Sequence, residues 1–179
     1  MKHTLTLDDE PVIDFDGISF LSILADLPAY VLVDDLNHLY DLSFCRTDDA
    51  VVGSDTLPLY VYADPMRHLS YYLVELPVPS EGYLLIVKGA SCRDTVEAIE
   101  DEFNSVAEEP HPADLPAVQR YRILRRYHES FTPVSIVTFT GGELDIASHP
   151  GRRQLKGRPG LADLFARILD FIDLHRLDG

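Results

Sequence analysis

Two cysteines in 179 residues are too few for a disulfide framework. Cys45 and Cys92 lie beside apolar or tight-turn sequence, so both are expected as buried free thiols in a reducing compartment, which places the protein in the cytoplasm. No apolar run approaches the length that crosses a bilayer, so no membrane partner is expected. The opening Met1–Leu7 runs directly into Asp8-Asp9-Glu10, without the uninterrupted apolar stretch of a secretory signal. Bases are scarce too: 15 Lys and Arg stand against 30 Asp and Glu, for a formal charge of -15. A surface of that sign disfavours nucleic acid as a partner, leaving only a local basic patch as an exception. Repeats, zippers and low-complexity tracts are missing. So are an HExxH unit, paired zinc-knuckle cysteines and a phosphate-loop or dinucleotide fingerprint. The sequence therefore assigns no catalytic residue, no cofactor and no metal ligand.

What remains is an ordinary folded composition, 46% hydrophobic and 25% charged. Charge is uneven: residues 1–60 carry 12 acids with only Lys2 and Arg46 as bases, whereas residues 119–179 carry 7 acids and 10 bases. Between them, Glu108–Pro116 has three prolines in its last seven positions and reads as a loop.

Hydrophobic spacing outlines the elements. His3–Leu7 alternates as a short strand, and Ile18, Leu21, Leu24 and Ala25 make a helical stripe ended by Pro28. Val31, Leu32, Asp35, Leu36, Leu39 and Tyr40 predict a helix over 29–41, followed by strand-like Leu42–Cys45. Leu57–Ala63 and His68–Leu76 read as a hairpin about Asp64–Arg67, and Tyr83–Lys88 as a central strand. Gly89 bends the chain into a helix over 92–107, with Ser91 as its cap. Val118–Leu124 reads as a strand, although Arg120–Glu129 also has helical character. Val134–Thr140 turns at Gly141-Gly142 towards Leu144–Ile146. Gly151–Gly160 is loop, and Leu161, Leu164, Phe165, Ile168, Leu169, Ile172 and Leu177 mark a final helix.

Chemistry-bearing residues are few. Asp34 and His38 share a helix face, an arrangement suited to proton transfer or to a surface ion pair. Asp48 and Asp49 follow Arg46, but neighbours on a strand point to opposite faces, so an Arg46 ion pair in a turn is the better reading. The patch Arg120-Tyr121-Arg122-Ile123-Leu124-Arg125-Arg126-Tyr127-His128 offers phosphate contacts and stacking rings. As a strand it would divide its arginines between two faces, which favours pairing with acids of this chain or of a partner protein. Arg152-Arg153-Gln154-Leu155-Lys156-Gly157-Arg158 is a second basic stretch in loop-like sequence.

Leu27-Pro28-Ala29-Tyr30-Val31-Leu32-Val33-Asp34-Asp35-Leu36-Asn37, Cys45-Arg46-Thr47-Asp48-Asp49, the tyrosine-rich Leu59–Asp64 and Leu69–Leu76, and Tyr83–Gly89 resemble the small bacterial proteins named for an IPExxxVDY motif. The resemblance spans roughly residues 20–120. Leu76-Pro77-Val78-Pro79-Ser80-Glu81-Gly82-Tyr83 stands where the naming motif would be. What it implies is architecture and no activity.

The resulting expectation is an α+β fold: a largely antiparallel sheet from 57–63, 69–76, 83–88 and 118–124, with helices 29–41 and 92–107 on one face and a C-terminal helix. Residues 1–129 form the main domain, and 130–179 a C-terminal extension, either attached or packed into the same domain. A non-enzymatic interaction or structural protein is the leading function. The alternatives are a small-molecule or nucleotide-binding protein using the sheet edge, then a hydrolytic enzyme. The final helix serves either a homo-oligomer or intramolecular burial.

Overall fold

In the computed structural model, which describes residues 17–78, 82–105, 108–130, 132–140, 143–146 and 161–175, the Ile18 stripe is a strand, β1 (Ile18–Ile23). The expected helix fails for a physical reason. Every residue of β1 is buried, Ser19 and Ser22 included, so polarity does not alternate between its faces, and the three-residue spacing of the two serines imitates a helical stripe over so short a run. Ile18 and Phe20 enter one core, Leu21 and Ile23 the other.

The other elements follow in chain order as α1 (Ala29–Tyr40), β2 (Cys45–Arg46), β3 (Ala50–Val52), β4 (Asp55–Leu57), β5 (Leu59–Asp64), β6 (Leu69–Glu75) and β7 (Tyr83–Lys88). After them come α2 (Cys92–Asn104), α3 (Leu115–Glu129), β8 (Val134–Thr140), β9 (Glu143–Ile146) and α4 (Leu161–His175). Seven strands form one sheet in the order β2-β5-β6-β7-β1-β8-β9, with every neighbour antiparallel, and β3 and β4 pair separately. The fold is α+β. Residues after 130 add β8 directly to β1, with Leu21 opposite Ile136. The expectations for His3–Leu7, Gly141-Gly142 and 151–160 lie outside the described residues.

The hairpin is β5–β6, with Tyr62 opposite Tyr71, while Leu57 belongs to β4. Asp64 shapes its turn by accepting the Met66 and Arg67 amides at 3.0 and 3.1 Å. Gly89 leaves β7 at φ 139°, where a Cβ would come within 2.6 Å of the His68 carbonyl, so only glycine fits there. Ser91 makes no side-chain cap to α2; its carbonyl instead accepts the Thr95 hydroxyl at 2.9 Å.

The largest correction concerns residues 118–124, which are helix, not strand. Asp114 accepts the Ala117 amide at 3.3 Å, and Pro116 occupies the first turn, where its missing donor costs nothing. Leu124 and Tyr127 then bury one narrow stripe while the arginines ride outside.

Two cores result. Leu32, Leu36 and Leu39 of α1, Val96, Ile99 and Phe103 of α2, and Leu124 and Tyr127 of α3 meet Leu21, Ile23, Leu73 and Leu85 on one side of the sheet. Opposite, α4 lays Leu164, Phe165, Ile168, Leu169 and Ile172 against Phe20, Leu84, Ile86 and Val137, beside the β3–β4 hairpin. Phe165 stacks on Phe20 at 6.3 Å between centroids. These α4 side chains are buried within the chain, which is the intramolecular alternative for the final helix. Each contributes about 1.5–3 kcal/mol by burial.

Candidate functional site

Along α1, Asp35 interrupts an apolar stripe, and its side chain is only 5% exposed. A carboxylate so placed needs donors. Arg126 and Tyr127, consecutive on α3, supply them: the Arg126 guanidinium and the Tyr127 hydroxyl both donate to Asp35 at 2.6 Å. Burial pushes the Tyr127 phenol far above its usual range, reinforced by the Asp35 carboxylate against the opposing pull of Arg126. It therefore stays a proton donor well into alkali. The ring beneath is held edge-on to Phe103 at 5.0 Å.

This joint sets the spacing of α1 and α3, and a groove of about 530 Å³ lies between them. Ile123 supplies its apolar surface, and its charges are largely spent on one another. Arg125 donates to Glu129 at 2.7 Å, and that bond holds its guanidinium pKa above the ordinary value. His38 Nδ1 lies 2.8 Å from the Asp34 carbonyl and 3.5 Å from its carboxylate, so the expected pair forms but bonds mainly through the backbone. Arg122 also lines the groove, and nothing among the described residues bonds to it. No Ser, Thr or Cys lines the groove. The arrangement holds charge in place and offers one guanidinium to a visitor.

The basic patch of the sequence is thus dispersed around a helix. Arg120 points elsewhere, donating to the Leu39 carbonyl and to Glu102 while its guanidinium lies 5.3 Å over the Tyr40 ring. It clamps α3 to α1 and α2. The expected pairing with acids of the same chain holds for Arg120, Arg125 and Arg126.

Other candidates are separate. Arg46 pairs with Asp49 as expected and lies 5.4 Å over the Tyr60 ring, while Asp48 is exposed and outside that pair. Both cysteines are free, and Cys92 is buried with the Ser19 hydroxyl 3.4 Å from its sulfur. Cys45 is exposed, against expectation, because β2 is a two-residue strand at the sheet edge and its side chains are left uncovered. Among the described residues no three His, Cys, Asp or Glu side chains gather as metal ligands, and no helix is long and apolar enough to cross a membrane. The basic stretch Arg152–Arg158 lies outside the described residues.

No protein-family model, no curated protein and no solved structure matches the chain.

Proposed function

We propose that the protein is a non-enzymatic interaction module whose α1–α3 groove receives an acidic segment of another protein. The observation that carries this reading is Arg122, a guanidinium on the groove wall with no partner among the described residues, beside the apolar Ile123. An extended chain with one or two carboxylates and a hydrophobic side chain complements that pair. Catalysis has weaker support. The groove offers no Ser, Thr or Cys nucleophile, and its buried carboxylate already accepts two donors. The net charge of -15 opposes any anion, and it weighs more on nucleic acid, with a phosphate at every nucleotide, than on a segment with one or two carboxylates for a single free guanidinium. The exposed thiol of Cys45 supports residence in a reducing compartment, and we place the protein in the cytoplasm.

Fluorescence anisotropy with a short peptide rich in Asp, Glu and Leu tests the reading. Saturable binding that weakens with salt is expected, and Arg122→Glu should weaken it about tenfold. Arg167→Glu, on α4, should leave it unchanged. Absence of binding, or equal binding by both variants, overturns the proposal. Sedimentation at the same concentrations separates a partner protein from a second copy of this chain.

A further inference from the structure

A second cavity, of about 260 Å³, opens where the end of α1, the β5–β6 turn and the first half of α2 meet. Its wall carries a cation and an anion that do not neutralise each other. Arg67, from the turn, approaches Asp64 only at 3.9 Å and lies beside the Tyr71 hydroxyl. Asp94, in the first turn of α2, has no hydrogen-bond or ion-pair partner among the described residues. Tyr71, Ala98 and Ile99 supply apolar surface around them. Both charged side chains belong to exposed residues, so a solute reaches them from solvent without any opening of the fold.

Tyr40 also lines the wall. Its hydroxyl is closed off from solvent, with no hydrogen-bond partner among the described residues. A buried hydroxyl without an acceptor destabilises the empty protein. The ring is held in place: the Arg120 guanidinium covers one side at 5.3 Å, and Phe103 lies 6.5 Å away. Burial, reinforced by Glu102 and opposed by Arg120, pushes the phenol far above its usual range, so the hydroxyl keeps its proton.

We propose that this cavity binds a free amino acid or a closely similar aminocarboxylate, its carboxylate on Arg67 and its ammonium on Asp94. A simple acid would meet Asp94 with like charge, and a simple amine would meet Arg67 the same way. A molecule carrying both charges satisfies both walls. Size agrees: the volume falls below the roughly 300–1,000 Å³ of drug-sized sites, which suits a small metabolite better than a nucleotide. The cavity shares no lining residue with the α1–α3 groove, so either site can fail alone.

Amide-resolved NMR titration of the full chain with each common amino acid tests the proposal. At least one should bind saturably below about 1 mM, with shifts centred on residues 40, 67 and 94–99. Its deaminated and decarboxylated analogues should each bind about tenfold more weakly or worse. Arg67→Gln should weaken the amino acid and the deaminated acid but spare the amine, and Asp94→Asn should do the reverse. Tyr40→Phe serves as a control: removing the orphan hydroxyl should raise the melting temperature while leaving the ligand's affinity within about twofold. No binding up to about 10 mM overturns the proposal. So does equal binding of an analogue lacking one charge, or binding indifferent to Arg67→Gln and Asp94→Asn.

Discussion

Asp35→Ala removes the joint between α1 and α3, and its cost follows from the two bonds it breaks. The carboxylate is buried and accepts bonds of 2.6 Å from Tyr127 and from Arg126. Without it the Tyr127 hydroxyl, on a residue only 2% exposed, loses its acceptor, which costs about 1–3 kcal/mol. The Arg126 bond counts for less, about 1 kcal/mol, because that side chain is 58% exposed and rehydrates. The total is about 3 kcal/mol, a fall in Tm of about 6–12 °C for a chain of this length. Urea denaturation of wild type, Asp35→Ala, Tyr127→Phe and the double variant measures it. The cycle should return a coupling of at least about 1 kcal/mol between the two residues. A cost under about 1 kcal/mol for Asp35→Ala, or strictly additive single variants, would show that the Asp35–Tyr127 bond does not hold α1 to α3.

Other expectations can be checked on the same material. Cys45 should alkylate in the native protein while Cys92 reacts only after unfolding; mass measurement before and after denaturant decides, and a protected Cys45 would contradict the exposed edge. Stability should fall in alkali. Burial raises the phenols of Tyr40 and Tyr127 well above their usual range, and that of Tyr83 to about 12, so the folded state keeps protons that the unfolded chain loses. The contribution is complete below about pH 10 and declines above it, by about 1.4 kcal/mol per pH unit for each such tyrosine. Urea midpoints across that range should drop, less steeply in Tyr40→Phe, and a flat profile would contradict the burial. Phe165→Ala should cost about 3–5 kcal/mol by equilibrium unfolding, because the ring is fully buried on Phe20; a loss under about 1 kcal/mol would show that α4 does not cover the sheet.

Elements with distinct periods were legible in the sequence. The α1 and α2 stripes, the β5–β6 hairpin and the buried β7 all follow from apolar spacing and turn residues. Two segments were not, for opposite reasons. β1 is so thoroughly buried that its pattern carries no period. α3 buries so little, chiefly Leu124 and Tyr127, that alternation and helical spacing compete over its length. There the deciding signal was local: Asp114 followed by Pro116 marks a helix start, although the same proline also reads as loop. The joint beneath the groove had a visible sign in Asp35, a carboxylate on an apolar face. Its donors were hidden because α3 lies about ninety residues on in sequence, and a single chain's pattern does not reveal which helices meet. The cavity around Tyr40 was equally hidden, since its walls come from three elements far apart in sequence.

On the proposed reading, a partner's acidic segment docks in the α1–α3 groove. The most direct measurement is an NMR titration with an Asp- and Glu-rich peptide, following the guanidinium Nε–Hε signals alongside the backbone amides. Docking should move the Arg122 signal most, with smaller shifts at Gln119, Ile123 and His38, and should leave the α4 face unchanged. A peptide that binds with its largest shifts elsewhere, or one that leaves Arg122 unmoved, would contradict the claim.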